Sequence, residues 1–379
     1  MLLDRKKPRI AIIGSRGVPA NYGGFETFAE EISVHLVKKY GYEVTVVSDI
    51  EQKKHNAAMK DYNGVNLRYS SYSKAGNAIR FYYDSIKKVI TDHDIIYSCG
   101  PAGGLFGVMV RKHGKIMMTN PDGLNSKRSK WSLPIQLAFR VFEFFASRFS
   151  DWVVCDSKAI EEYICNQYGC KNTFVAEYGA YINSFIHEKK MSQKILQKYG
   201  VESKSYHLVV SRLEPENNVE MIISGYEKSS KKWPLMVVGN VQETAFVQKL
   251  KNIAGKNVYF VGGVYDKDEL SVIRAHAISY LHGHSVGGTN PSLLEAMGSR
   301  NLCICHDNPF NREVVSDNGL FFKDSDGVER CIEKVETNSE AFDLMRNAVL
   351  DRIVNYYNWE KIADKYHTIF LKAYFQSKV

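Results

Sequence analysis

Short apolar runs bounded by turn residues recur along the first half of the chain, at Ile10–Ile13, Val44–Val47, Ile95–Tyr97, Ile116–Met118, Trp152–Val154 and Phe174–Ala176. Helical spacing fills the gaps: Phe25, Phe28, Ile32 and Leu36 fall three and four apart and so share one helical face. Strands of this length alternating with helices predict parallel βαβ units and an α/β fold whose sheet is covered on both faces. From about residue 206 the pattern restarts, with runs at Leu208–Val210, Leu235–Val238, Val258–Val261, Ile278–Leu281, Leu302–Cys305 and Leu320–Phe322. The expected organisation is two α/β domains, 1–195 and 206–356, joined through the polar, lysine-rich stretch Asn183 to Ser205, with Phe342 to Phe375 helical. Parallel sheets present loops and helix starts at their strand carboxyl ends, so the function is expected in a cleft between two such domains.

Composition narrows the partners. At 379 residues, 44% hydrophobic and 24% charged, the chain is too long for one ordinary core. A formal charge of +8 favours anionic partners, and nucleotide phosphates or lipid head groups are expected ahead of nucleic acid. Seven cysteines, at 99, 155, 165, 170, 303, 305 and 331, with no Cys-x-x-Cys pair and no secretory leader before the first strand, predict a reducing, cytoplasmic setting. The longest apolar stretch, Trp131 to Phe149, is broken by Arg140, Glu143 and Arg148. It falls short of the roughly 20 apolar residues of a membrane span. Just ahead of it, Lys127-Arg128-Ser-Lys130-Trp131 sets three cations beside an indole, which reads either as a patch resting on anionic lipid or as a solvated turn leading into a core helix.

The candidate chemistry sits at strand ends. Ile10 to Phe28 reads as a strand, a loop with Gly14, Gly17, Gly23 and Gly24, and a helix opening near Gly24 whose free N–H groups suit a phosphate or a sugar hydroxyl. Its Gly14-Ser-Arg-Gly17 is G-x-x-G rather than G-x-G-x-x-G, a poor fit to a nicotinamide dinucleotide. In the second half, Arg212 of Ser211-Arg-Leu-Glu-Pro-Glu-Asn-Asn218 follows a strand, where its guanidinium would fork two phosphate oxygens or else pair with Glu214 or Glu216. The segment His282 to Met297 combines Gly287-Gly288 with Asn290 as N-cap and Pro291 at the first helical position, a second anion seat. Glu295, one turn into that helix, is within range of a ribose diol, or else is a favourable first-turn charge. His282 and His284 are ligand contacts or ordinary polar packing.

Sugar or phosphoryl chemistry also needs a carboxylate to take a proton. Asp122 in Thr119-Asn-Pro-Asp-Gly123 is the first candidate, with turn formation as the alternative, and Asp156 in Val153-Val-Cys-Asp-Ser157 is the second, with helix capping as the alternative. Asp266-Lys-Asp268 is a short Asp-x-Asp, but Asp268 is expected to cap the following helix, and no metal is expected.

Together, Arg212 and the glycine loop ending in Pro-Ser-Leu-Leu-Glu-Ala-Met resemble a GT-B glycosyltransferase of family 4, and the Gly14 to Glu26 opening resembles its bacterial rhamnosyltransferase branch. Asp122-Gly123, Lys127 to Trp131, Glu214 to Asn218 and His282 to Asn290 match that branch too, so the likeness covers nearly the whole chain. The resemblance implies two Rossmann-like domains with parallel sheets facing a central cleft, and a C-terminal helix, about 357–379, returning to the first domain. It implies transfer with retention from a nucleotide-diphosphate sugar, dTDP-rhamnose in that branch, to a polyprenyl-diphosphate-linked sugar in capsule or cell-wall assembly at the inner face of the membrane. A UDP-hexose or UDP-N-acetylhexosamine donor stays open, with a nicotinamide oxidoreductase or a non-catalytic sugar-binding protein more remote.

By the same resemblance, Gly23, Gly24, Arg212, Asn217, Gly239, Val264, His284, Gly287, Gly288, Thr289, Asn290 and Glu295 are expected on the donor. Arg16, Asn21, Tyr22, Lys127, Arg128 and Trp131 are expected on the acceptor, with Asp122, Asp156 and Arg212 catalytic, and with no metal or other cofactor. Two departures stand out. The wider family follows its arginine five residues later with lysine, where this chain has Asn217, and of its two glutamates spaced eight apart Glu295 keeps the second while Gly287 occupies the first.

Overall fold

The computed structural model describes residues 7–20, 23–55, 59–183 and 189–377. They fall into two units: one runs to Lys127, resumes at Trp131–Tyr178 and takes in the chain from Trp359 onward; the other comprises Arg128–Lys130 and Gly179–Asn358.

The first unit is built on β1 (Ile10–Ile13), β2 (Val44–Ser48), β3 (Asp61–Tyr62), β4 (Val65–Tyr69), β5 (Ile95–Cys99), β6 (Ile116–Asn120), β7 (Trp152–Cys155) and β8 (Thr173–Val175). Their order is β3-β4-β2-β1-β5-β6-β7-β8, parallel except for the β3–β4 hairpin. The apolar-run reading missed that hairpin, whose strands are short and half polar. Its signal is the pair Asn63-Gly64, both at positive φ (53° and 84°), which is the two-residue turn that joins antiparallel strands.

One face of this sheet packs Ala11, Ile13, Val47, Ile96 and Met117 against Phe81, Tyr82, Ile86 and Val110. On the other, the helix Gly24–Tyr40 buries Phe28, Ile32 and Leu36 as its spacing predicts, and Phe28 meets Tyr97 of β5 at 5.3 Å between ring centroids. The helix Trp359–Gln376 joins this layer, with Tyr366 at 5.0 Å from Phe28 and its hydroxyl 3.0 Å from that of Tyr97.

The second unit holds β9 (His207–Val210), β10 (Leu235–Val238), β11 (Val258–Gly262), β12 (Ser279–His282), β13 (Cys303–His306) and β14 (Leu320–Phe322), in the order β11-β10-β9-β12-β13-β14 and parallel throughout. Val209, Val237, Leu281, Ile304 and Phe322 share a core with Ile222, Tyr226, Leu250 and Ile332. The stretch read as a connector contains a helix, Lys189–Lys198, which buries Leu196.

Each sheet reverses its strand order once near the middle, between β1 and β5 in the first unit and between β9 and β12 in the second. At such a switch point the loops leaving the two strands run to opposite faces and open a crevice beyond their carboxyl ends. Among the described residues all seven cysteines are free thiols, and no helix is long and apolar enough to cross a membrane.

Candidate active site

In the second unit, the chain leaves β9 through Ser211-Arg212 and leaves β12 through His284 to Asn290, so both motifs flank the switch point. Close backbone contacts fix the first loop. A Cβ on Gly239, after β10, would strike the carbonyl of Ser211, and one on Gly283 would strike that of Asn217. Glycine is required at both positions by this approach. The Asn217 amide ties the loops together, donating from Nδ2 to the Arg212 carbonyl at 2.7 Å and accepting at Oδ1 from His284 Nδ1, also at 2.7 Å. Asn217 is therefore a bracket between the two loops. His284 is buried and stays a neutral imidazole: burial pushes its pKa well below the ordinary value, and His282, Arg128 and Arg212 push the same way.

The second loop ends as its sequence predicts. Asn290 caps the helix Pro291–Gly298, its side-chain oxygen accepting from the Ser292 N–H at 3.0 Å, with Pro291 in the first position. Gly287 at φ 149° turns the chain into it, and Thr289 is buried beside it. This helix start carries the partial positive charge that binds anions. One turn in, Glu295 meets Arg274 at 2.5 Å, a buried guanidinium from the helix Lys267–His276. Sequence reasoning missed Arg274; its only signal is a cation on the apolar face of that helix, beside Val272 and Ile273. Val264, in the loop after β11, is half-buried.

Arg212 realises the plainer of its two readings, with its Nε 3.7 Å from Glu214. The surprise is the company it keeps. Lys130 lies 2.9 Å from Glu214 and 3.5 Å from Glu216, and Arg128, only 8% exposed, lies 3.9 Å from Glu216. This corrects both readings of the Lys127 to Trp131 cluster, since two of its three cations are neither a free surface patch nor a solvated turn. Burial pushes the Glu214 carboxyl up, but the Lys130 hydrogen bond and the charges of Arg212, Lys130 and Arg128 outweigh it and hold it below the ordinary range. Arg212, Lys130 and Arg128 thus gather around the two carboxylates of the loop after β9.

In the first unit the glycine loop after β1 is already engaged. Glu26, in the first turn of the helix Gly24–Tyr40, accepts from the Arg16 N–H at 2.7 Å, and Glu30, one turn on, accepts from the Ala20 N–H. Gly23 sits against the Glu26 carboxylate, and the Lys74 ammonium reaches the Gly14 carbonyl. Two amides of this loop are thus satisfied by carboxylates, whose negative charge disfavours a phosphate beside them. The Arg16 side chain is exposed. Asn21 and Tyr22 lie outside the described residues. Lys127 stacks 4.2 Å over the ring of Tyr163, and Trp131 packs 5.8 Å from Phe139.

Asp122 follows β6 at φ 65°, a left-handed conformation that aspartate tolerates better than most residues; its N–H donates to Asn120 Oδ1 and its carboxylate accepts from Asn125, each at 2.8 Å. Asp156 follows β7 and is buried. It does not cap the next helix: Ser157 does, accepting from the Ile160 N–H. The two aspartates share a neighbour, Tyr178, whose hydroxyl pKa is raised well above the ordinary value by burial first and then by Asp156 and Asp122. Asp266, not Asp268, caps the helix Lys267–His276, accepting from the Glu269 N–H at 2.9 Å. Among the described residues no group of three or more histidine, cysteine or acidic side chains stands together as a metal site.

Residues 191–349 match the family of glycosyl transferases group 1, and residues 7–181 match a family described as a domain of unknown function. Sucrose-phosphate synthase from Thermosynechococcus elongatus superposes with a TM-score of 0.82 at 14% identity, over 98% of this chain and all of that one. The chain has the GT-B fold, and it is its second unit that matches the group 1 model. HepE from Anabaena, solved with UDP-glucose, is similar to this GT-B chain at a TM-score of 0.74 and 16% identity, over 97% and 100% of the two chains. An uncharacterized glycosyltransferase of Methanocaldococcus jannaschii is 24% identical over 96% of this chain and 98% of its own length.

Proposed function

We propose that this glycosyltransferase moves a sugar, L-rhamnose from dTDP-rhamnose, onto a polyprenyl-diphosphate-linked saccharide with retention at the anomeric carbon, without a metal. The observation that carries this reading is the switch point of the second unit. There a guanidinium, Arg212, and the capped helix start at Gly287 to Asn290 stand on the two loops that flank the crevice, with Glu295 one turn further in. Arg212 and the helix start neutralise the diphosphate, and the Glu295 carboxylate accepts from the 3′-hydroxyl of the deoxyribose, or from both hydroxyls where the donor is a UDP-sugar. In the reaction the acceptor oxygen bonds to the anomeric carbon as its proton passes to a carboxylate, Asp122 or Asp156, or to the leaving phosphate. The nucleoside diphosphate departs with the electron pair of the broken bond.

The loop after β1, where two carboxylates disfavour a phosphate, supports an acceptor sugar rather than a second nucleotide in the first unit. It weighs equally against a nicotinamide dinucleotide. The rhamnosyl assignment rests on the likeness of the Gly14 to Glu26 opening and of Lys127 to Trp131 to that branch. A second reading, a UDP-hexose or UDP-N-acetylhexosamine donor, is favoured by the similarity to HepE, which was solved with UDP and with UDP-glucose. A panel of nucleotide sugars scored for released nucleoside diphosphate separates the two: preference for dTDP-rhamnose upholds the first, and tight preference for a UDP-sugar removes rhamnose. Release from none of them, with a lipid-linked acceptor present, removes the transferase reading.

A further inference from the structure

The helix Leu133–Phe149 exposes an apolar stripe with no partner in its own unit. Leu133 is 79% exposed, Leu137 59%, Val141 45% and Phe144 47%. Their spacings of four, four and three place them on one helical face. Arg140 and Arg148 are exposed on the same arc. The only acid of this helix, Glu143, is buried on the opposite side, where it accepts from Ser126 and Tyr168.

The stripe has neighbours of the same character. The helices Ala78–Lys87 and Gly107–Lys112 cover the same sheet face, through Phe81, Tyr82, Ile86 and Val110 in the core that Phe142 of the long helix also joins. Outward they expose Ile79, Tyr83 and Val108 together with Arg80, Lys87, Lys112 and Arg111, the last paired with Asp151 at 3.1 Å. The single acid on these two helices, Asp84, is turned to Ser70 and the Ser71 N–H. The exposed charged side chains of these three helices are cations, and their two acids, Glu143 and Asp84, are buried and half-buried.

An apolar stripe wide enough to cover most of a helix face, rimmed by arginine and lysine and free of exposed acids, fits the boundary between anionic head groups and acyl chains. The apolar side chains enter the hydrocarbon edge while the long cationic stems reach back to phosphate. We propose that this layer, centred on the helix Leu133–Phe149, docks on the surface of an anionic lipid bilayer. The proposal deepens the reading of a lipid-linked acceptor and rests on it for its purpose. It moves the membrane contact from Arg128 and Lys130, which are paired with Glu214 and Glu216, to a face that is exposed.

Sedimentation with vesicles of phosphatidylglycerol and phosphatidylcholine, against pure phosphatidylcholine, tests it on the full chain. Wild-type protein is expected to bind the anionic vesicles, and Leu137→Gln/Val141→Gln/Phe144→Gln to lose about tenfold or more in partitioning while its melting temperature holds. If that triple variant does not fold, Arg140→Glu/Arg148→Glu, at exposed positions, is expected to remove the preference for phosphatidylglycerol by about tenfold or more. Absence of wild-type binding, or equal binding by the folded variants, overturns the proposal. So does a self-association of wild type, seen by sedimentation velocity, that the triple variant abolishes while neither protein binds vesicles. Nucleoside diphosphate release onto a short-chain, water-soluble acceptor reads the transferase separately: vesicle binding without release leaves the docking face standing and removes the catalytic reading.

Discussion

The two units present the same local device, a parallel strand, a glycine-bearing loop and a helix start beside a strand-order reversal, and use it for opposite purposes. After β1 the helix supplies its own anions: Glu26 and Glu30 accept from the Arg16 and Ala20 amides, so two of the loop's donors are engaged by carboxylates. After β12 the cap is a neutral asparagine, and the loop after β9 carries Arg212, Glu214 and Glu216, with Arg128 and Lys130 paired to those acids. Glycine and helix direction set where a ligand can approach. The side chains of the first helical turn, together with the charges of neighbouring loops, set which sign of ligand is accepted.

The comparison breaks most sharply at Arg212. Arg212→Ala removes the guanidinium but leaves the loop bracketed by Asn217, so kcat/KM for the nucleotide sugar is expected to fall about a hundred- to a thousandfold, the loss typical of a single charge-stabilising contact. Initial rates at varied donor concentration read this, and wild-type kinetics would end the assignment. The matching change in the first unit, Glu26→Ala, is expected to do the reverse. It removes a half-buried hydrogen bond to a charged acceptor, at a cost of about 1 kcal/mol in chemical denaturation, while nucleotide affinity by titration calorimetry stays as it was. A change in nucleotide affinity there would erase the contrast.

Asp122→Asn keeps the Asn125 contact and removes the base. Turnover is expected to drop about a hundredfold with the donor KM little changed. The same substitution at Asp156 discriminates between the two aspartates, since the one that acts as base loses turnover at saturating donor and acceptor, whereas the other affects stability alone.

Most of the architecture was legible in the chain because parallel, twice-buried strands leave continuous apolar runs, and both sheets follow from them. The hairpin of β3 and β4 was not, since edge strands such as Val65-Asn-Leu-Arg-Tyr69 are half polar and only the Asn63-Gly64 turn betrays them. At the site, Asn290 and Pro291 were readable because capping is local, two or three residues in extent. Arg274 behind Glu295, Lys74 at Gly14, and the pairing of Arg128 and Lys130 with Glu216 were not. Each joins residues separated by 21 to 88 positions, and charge partners over such distances leave no periodic trace. Asn217 shows the same limit: its position in the motif suggested a ligand, and its two hydrogen bonds make it a bracket.

Acid is expected to separate the two units. His282, buried at the end of β12, has its pKa pushed down to about 3 by burial and by His306, from an ordinary 6.5. The unfolded chain then takes up the proton first as pH falls. Stability is complete above 6.5 and is lost progressively below it, by about 2 kcal/mol at pH 5 from this group alone. His284 and His306 are shifted in the same direction and add to the loss. In the first unit burial also lowers His93, but the adjacent Asp92 opposes the shift. Amide hydrogen exchange at pH 7 and pH 5 is expected to lose protection first around β9, β12 and β13, and His282→Phe to flatten the pH dependence there. Equal loss in both sheets would remove the distinction.

The smallest expected effect is the finest probe of the second unit. Arg274 is buried and reaches Glu295 from the side of its own helix, so its guanidinium aims the carboxylate rather than touching a ligand. If Glu295 accepts from the hydroxyl of the nucleoside sugar, Arg274→Met lets the carboxylate swing and raises the donor KM severalfold while kcat is kept, because the contact is made equally in ground and transition states. Glu295→Gln should give a larger rise in the same direction, and the double variant should be no worse than Glu295→Gln alone, since the two residues act through one contact. A 2′,3′-dideoxyribose form of the nucleotide supplies the remaining arm: having no hydroxyl there, it should bind wild type and Arg274→Met alike. Additive losses in the double variant, or a fall in kcat for Arg274→Met, would show that the pair holds the fold of the loop rather than the ribose.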